Sequence, residues 1–217
     1  MVESIRIGGN HPPGAGRPPM EAGEAQESEP AAQARPVVFY EGRRIYFRPV
    51  ELEDEPLLRR WVNDPETWRM MRRHNGYNAL QERAFIESLA SRPADCVLGI
   101  VVKEDHRLIG INGLHGIDPM SRKASYGICI GEDAWRNRGY GAEAVGLMLR
   151  YGFEELNLNR IELKVYEHNW PAIRVYQRAG FVHEGCLREA VYVNGRYRDV
   201  YQFAILRREW EAAREEP

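Results

Sequence analysis

The sequence predicts a single α/β domain in which helices flank one mixed sheet. Three observations predict it. Strand-like apolar runs are interleaved with stretches of helical periodicity along most of the chain. The 217 residues suffice for one well-filled core and make only a weak case for two. Asn194-Gly195, set between two strand-like runs, is a strong type I′ hairpin signal.

Taken in order, residues 1–36 are rich in Gly, Pro, Ala and Glu and poor in large apolar side chains. They cannot bury enough surface to offset their ordering entropy and are expected to form a disordered tail, leaving 37–217 as the domain. A short strand over 44–49 leads to Glu51-Leu52-Glu53-Asp54-Glu55-Pro56, acids and a proline suited to the first turn of a helix through Trp61 and Val62. Asn63-Asp64-Pro65 stops that helix, and Pro65 starts a short second one toward Met71. After a loop around His74-Asn75-Gly76, residues 80–90 read as a third helix with Leu80, Ala84, Phe85, Ser88 and Leu89 on one face. Strands are expected over 96–102, 107–114 and 125–130, a helix over 139–156, a buried strand over 160–166 and a helix over 170–179. Strands over 189–193 and 197–206 flank the hairpin turn.

Composition excludes several classes. Apolar residues make up 43% and charged residues 29%, the balance of a soluble globular chain. Apolar runs such as Cys96–Val102 fall far short of the roughly 20 residues that span a bilayer, so no membrane association is expected. Residues 1–36 carry three Arg and five acids, and the remainder balances at 27 basic and 27 acidic, which offers nucleic acid no basic face. Cys96, Cys129 and Cys186 lie far apart and the six histidines form no HxxH or HxxxH pair, so neither a disulfide framework nor a metal site is expected, and the cytoplasm is the expected compartment.

The chemistry concentrates after the strand Tyr126-Gly127-Ile128-Cys129-Ile130. There Arg136-Asn137-Arg138-Gly139-Tyr140-Gly141-Ala142 opens a long amphipathic helix. Strand, glycine loop and helix start make a phosphate cradle: the glycines admit an anion close to the backbone, and the first-turn N–H groups supply donors. Two glycines before a helix are by themselves also a common tight turn. No Gly-Lys-Ser/Thr follows, and the third glycine of the dinucleotide fingerprint is missing. Downstream, the strand ending at Tyr166 leads to Asn169 and a helix carrying Ala172, Val175 and Tyr176 before Gly180-Phe181.

Together, Arg136-x-x-Gly139-x-Gly141-Ala142 and Asn169-x6-Tyr176-x3-Gly180-Phe181 resemble the GNAT superfamily of acetyltransferases, over nearly all of residues 43–210. Arg48-Pro49 with Trp61-x-Asn63-Asp64-Pro65 resembles the branch that acetylates ribosomal protein N-termini. Asn194-Gly195-x-Tyr197-Arg198-Asp199 resembles that branch and also the bacterial spermidine acetyltransferases.

The resemblance implies a mostly antiparallel central sheet whose fourth and fifth strands, here 125–130 and 160–166, splay apart around the pantetheine arm of acetyl-CoA. It implies cofactor contacts from the main chain at Ile128, Cys129 and Ile130, from the loop Arg136, Asn137, Arg138, Gly139, Tyr140, Gly141 and Ala142, and from Asn169. Asn169 equally suits an N-cap for the helix that follows. Tyr176 matches the tyrosine that protonates the departing thiolate, and its other reading is a buried aromatic. Lys164 stands where some members carry a glutamate, which leaves Glu162 or Glu167, acting directly or through water, as candidate bases; either is also readable as a paired surface charge. The implied reaction is direct attack by a primary amine in a ternary complex with acetyl-CoA, without metal. Trp61, Trp68, Tyr77, Tyr192 and Tyr197 are candidate walls for the acceptor, and a homodimer is left open. The rival reading is a non-catalytic acyl-CoA-binding or sensing module with the same fold.

Overall fold

The computed structural model describes residues 36–70 and 75–215, which form one compact unit. The expected tail, apart from Pro36, and the Met71 and His74 positions lie outside the described residues. One eight-stranded sheet organises the unit. Its strands are β1 (Tyr40–Glu41), β2 (Ile45–Pro49), β3 (Cys96–Val102), β4 (Leu108–Asp118), β5 (Lys123–Ile130), β6 (Arg160–Tyr166), β7 (Val182–Val193) and β8 (Arg196–Leu206), in the order β1-β2-β3-β4-β5-β6-β8-β7. Every neighbouring pair is antiparallel except β5–β6. With β1 ahead of them, the fourth and fifth strands expected from the sequence are β5 and β6.

The helices are α1 (Glu55–Asn63), α2 (Pro65–Met70), α3 (Ala79–Leu89), α4 (Tyr140–Arg150), α5 (Trp170–Arg178) and α6 (Arg207–Glu215). Their ends follow local chemistry. Asp64 stops α1 in an extended conformation, and its Oδ1 accepts from the N–H groups of Glu66 and Thr67, both at 3.0 Å, so one side chain ends a helix and caps the next. Asn78 and Gln81 form a reciprocal capping box at the start of α3. The hairpin between β7 and β8 turns through Asn194 and Gly195 at φ 53° and 75°, the left-handed pair that a type I′ turn requires.

Two cores lie on opposite faces of the sheet. Under α4 and α5, Ile45, Phe47, Ile100, Leu114, Tyr126, Met148, Ile161, Leu163, Tyr176 and Phe203 pack together. On the other face, Tyr46, Val101 and Leu108 pack against Leu58 and Trp61 of α1 and Ile86 of α3.

Four expectations need correction. α3 buries Glu82 and Ile86 with Phe85 and Leu89 beside them, while Leu80 is 75% exposed. Two stripes one or two residues apart both satisfy helical periodicity here, and contact with α1 selects the second. The helix expected over 139–156 is α-helical only to Arg150 and continues as a π-helical turn, Tyr151–Glu155. β7 begins at Val182 rather than 189, because an exposed, twice-bulged edge strand shows no alternation to read. α6 was not expected: its sequence is mostly charged, and Trp210 anchors it against Phe153 at 5.2 Å between ring centroids.

Candidate active site

β5 and β6 pair only at Lys123↔Arg160, Ala124↔Ile161 and Ser125↔Glu162. Beyond that row, residues 126–130 stay with β4 and residues 163–166 stay with β8, so a V opens within the sheet. The phase of β5 fixes what faces it. Gly131 N donates to Ile109 O at 2.9 Å, so by antiparallel alternation residues 127 and 129 also bond toward β4, and the peptide groups of Tyr126, Ile128 and Ile130 turn toward the V. The Ile130 carbonyl there accepts from Arg136 Nε at 3.1 Å. Both main-chain groups of Ile128 and the N–H of Ile130 are left facing the V. Cys129 differs from its neighbours, because its main chain is turned toward Ile111.

Beyond β5 the chain passes through a short 3-10 turn, Asp133–Trp135, and enters the glycine loop. Asn137 and Gly139 take φ of 58° and 83°, and Gly139 is the N-cap residue of α4. Among the described residues no side chain caps that helix, so the first-turn N–H groups at Tyr140, Gly141 and Ala142 point out of its end as free donors. A Cβ on Gly141 would meet nothing closer than Ile130 Cγ1 at 3.8 Å, which leaves open space before the helix.

Arg136 serves the loop from inside. Its guanidinium bonds Ile130 O, Thr67 Oγ1 at 2.9 Å, Asp133 and Glu66, fastening the loop to the end of β5 and to α2. Arg138 lies over the Trp135 ring at 5.8 Å, and its carbonyl accepts from Arg44 Nη1 at 3.1 Å.

That last bond belongs to a clamp with no local sign in the sequence. Glu143 takes the N–H groups of Arg44 and Ile45 on Oε1, at 2.6 and 3.3 Å, and Arg44 Nε on Oε2 at 2.9 Å. Burial raises the Glu143 carboxyl, but the donations from Arg44 and Ile45 outweigh it and hold the pKa below the ordinary value. The clamp joins the start of β2 to the first turn of α4 and seats Arg44 over the Tyr140 ring at 4.6 Å. An acidic residue in a first helical turn is readable from sequence, but its partner lies 99 residues away.

Asn169 caps α5, its Oδ1 accepting from Ala172 N at 3.3 Å, which leaves its amide nitrogen as a donor. Tyr176 is 7% exposed, sits edge-on to Phe181 at 5.7 Å between centroids, and shares the α4–α5 core with Tyr126. Burial pushes its phenol up to about 12, so the hydroxyl stays protonated across the physiological range. The two candidate bases are both in ion pairs: Glu162 with Arg160 at 3.0 Å and Glu167 with Arg198 at 3.2 Å. Of the candidate acceptor walls, Trp61 is core, packed onto Gly131; Trp68 and Tyr77 are half-buried; Tyr192 and Tyr197 are exposed at the hairpin tip with centroids 5.1 Å apart.

A sheet split into a V, with free main-chain groups along one arm and an uncapped helix start beyond it, is the architecture of a protein that takes an extended, amide-bearing ligand ending in phosphates. Known proteins give that class a family. The acetyltransferase (GNAT) domain family matches residues 44–182. An uncharacterized N-acetyltransferase p20 of Bacillus licheniformis is 35% identical over 77% of this chain and 95% of its own length. A spermidine N(1)-acetyltransferase of Vibrio cholerae is 36% identical over 49% of this chain and 61% of its own length. The crystal structure of spermidine N-acetyltransferase from Vibrio cholerae in complex with CoA and spermine superimposes with a TM-score of 0.72 at 25% identity, covering 77% of this chain and 98% of that one. The chain belongs to the GNAT family and is an N-acetyltransferase.

Proposed function

We propose that the protein transfers an acetyl group from acetyl-CoA to a primary amine, with both substrates bound at once. The V between β5 and β6, continuous with the uncapped start of α4, carries this reading. Ile128 and Ile130 offer the pairing groups for the pantetheine amides. The N–H groups of Tyr140, Gly141 and Ala142 offer donors for the pyrophosphate at the positive end of a helix. Asn169 contributes its amide nitrogen, and the side chains of Arg136 and Arg138 hold the loop in shape. Acetyl-CoA supplies the activated acyl group; the chain positions it, excludes water and stabilises charge.

A main-chain N–H of β5 facing the V is placed to donate to the carbonyl oxygen as it gains charge. Tyr176 donates to the departing sulfur. A phenol at about 12 is a weaker acid than an ordinary thiol near 8.5, so Tyr176 holds the sulfur by a hydrogen bond and passes a proton on only as solvent replaces it. Holding the amine beside the thioester removes much of the remaining barrier. The acceptor belongs among protein N-termini, polyamines and small amines, in keeping with a relative of Bacillus subtilis named putative ribosomal N-acetyltransferase and with the spermidine enzyme above.

The test is coenzyme A release from acetyl-CoA across a panel of spermidine, peptides with Ala or Ser N-termini and free L-amino acids. Amine-dependent thiol release supports the reading. Saturable acetyl-CoA binding with no amine-dependent thiol overturns it and identifies a non-catalytic binder.

A further inference from the structure

We infer that His115 is the general base that accepts the proton of the acceptor amine, with Asp95 as the residue that positions it. The inference rests on the acetyltransferase reading and offers a base in place of Glu162 and Glu167, which are both engaged in ion pairs.

The geometry begins with strand alternation. On β4, Ile111 packs with the α1–α3 core, so His115, four residues on, projects from the same face. His115 lies opposite Ser125, the last residue of β5 to pair with β6. Its neighbour on the same face of β5 is Gly127, and the absence of a side chain there gives the imidazole room to lean over the strand. A Cβ on Gly127 would lie 3.6 Å from His115 Nε2. The nitrogen therefore hangs over the residue at which the V opens. Tyr176 lies across the sheet, in the core under α4 and α5. The proposed base and the donor to the sulfur thus approach the opening from opposite faces, as an amine attacking one side of a thioester requires.

The second nitrogen fixes the state of the first. His115 Nδ1 lies 3.6 Å from Asp95 Oδ2, and Asp95 Oδ1 accepts from Gly116 N at 2.9 Å. Burial works to raise the Asp95 carboxyl, but the Gly116 donation, the neighbouring imidazole of His115 and the Arg92 charge hold it below the ordinary value, so Asp95 is a carboxylate at neutral pH. In the neutral ring, a carboxylate beside Nδ1 favours the tautomer with hydrogen on Nδ1 and a lone pair on Nε2. Among the described residues Nε2 has no hydrogen-bond partner. The other charged groups on this face include Arg92 behind Asp95 at 3.9 Å, Lys123 two residues before Ser125 on β5, Arg160 on β6 with its partners Glu162 and Glu184, and Lys164 beyond them.

In the step itself, Nε2 takes one proton from the acceptor ammonium, and the nitrogen lone pair forms the N–C bond at the thioester carbonyl. The C–S bond then breaks with its electron pair on sulfur, which takes the proton passed on through Tyr176. The second proton of the attacking nitrogen leaves through solvent and restores the phenol. The imidazolium releases its proton to water, so one proton is liberated per amide formed.

The experiment compares wild type, His115→Gln and Asp95→Asn with the amine of the panel that the wild type turns over fastest. Calorimetry should show acetyl-CoA affinity unchanged in both variants. In His115→Gln, kcat/KM for the amine should fall about 10²-fold at neutral pH, with the deficit narrowing as pH rises and the free amine no longer needs a base. In the unliganded wild type, imidazole ¹⁵N shifts should report hydrogen on Nδ1, and Asp95→Asn should lose that preference and part of the rate. A wild type that releases no thiol with any amine removes the acetyltransferase reading and the base with it. An active wild type matched by His115→Gln at every pH, a deficit that does not change with pH, or hydrogen on Nε2 in the wild type overturns the base alone.

Discussion

Replacing Gly131 with alanine should destabilise the fold, for a reason visible only in three dimensions. Gly131 follows β5, and its Cα faces the indole of Trp61; a Cβ built there falls far inside contact distance of Cδ2 and Cε2 of the ring. The ring has nowhere to go, because Trp61 is 3% exposed and packed among Tyr46, Leu58, Ile86, Val101 and Leu108. The strand is equally fixed, since Gly131 N is bonded to Ile109 O at 2.9 Å. Glycine is needed here for space and not for conformation, as Gly131 is not among the residues with positive φ. Overpacking of this kind costs about 1–3 kcal/mol. At about 2–4 °C per kcal/mol for a domain of this size, Tm should fall by roughly 2–12 °C. The displacement also reaches the V, because Ile130 and its bond from Arg136 lie one residue away, so acetyl-CoA affinity should drop as well. Calorimetric melting gives the first quantity and titration calorimetry the second. A double-mutant cycle with Trp61→Leu isolates the cause: the alanine should cost less once the indole is gone. A Gly131→Ala protein that melts with the wild type, or that loses as much in the Trp61→Leu background, refutes the argument.

Three other outcomes are expected. Gly141→Val should fold normally, given the 3.8 Å of clearance to Ile130, and lose at least tenfold in acetyl-CoA affinity by calorimetry because the side chain fills the phosphate cradle; unchanged affinity would remove the loop from the site. Tyr176→Phe should keep its melting temperature and acetyl-CoA affinity while kcat falls about 10²-fold, the pattern of a bond made mainly in the transition state, and near-normal kcat where thioester cleavage is rate-limiting would reduce Tyr176 to packing. Glu143 has its pKa lowered in the fold, so its clamp stabilises above the ordinary carboxylate value and is lost as pH falls through the folded one. Glu143→Gln should therefore melt about 2–4 °C below wild type at pH 7, with the gap closing as pH falls below the ordinary carboxylate value, and a gap independent of pH would show that the charge is not what holds Arg44.

What was legible in the sequence is what local chemistry determines. Asn194-Gly195 demanded positive φ at two consecutive residues, and the hairpin turns there. Gly139 could be read from its place before a helix, and it is the left-handed N-cap residue of α4. Of the two roles that suit Asn169, the cap is visible, its side chain accepting from Ala172 N. Where periodicity allowed two answers, packing chose between them, as on α3, where Ile86 rather than Leu80 faces the sheet.

The illegible part depends on pairs far apart in the chain. Arg44 and Glu143 are 99 residues apart, and the Trp61–Gly131 and Asp95–His115 contacts also join separate elements. Gly131 shows the difference most plainly: it lies eight residues from Gly139, in the same loop region, but its requirement is set by an indole on α1 and not by its own backbone. His115 shows the same difference in chemistry. A histidine in a strand next to a glycine has the pattern of an ordinary sheet residue until register sets it beside Gly127. The carboxylate that orients it arrives from the start of β3, in a turn whose own sequence resembles no site. A motif marks where a ligand meets main chain, because that contact needs glycines and helix ends at fixed spacing. Acid–base groups need only to converge in space, so different strands can supply them, and only the assembled sheet shows which ones do.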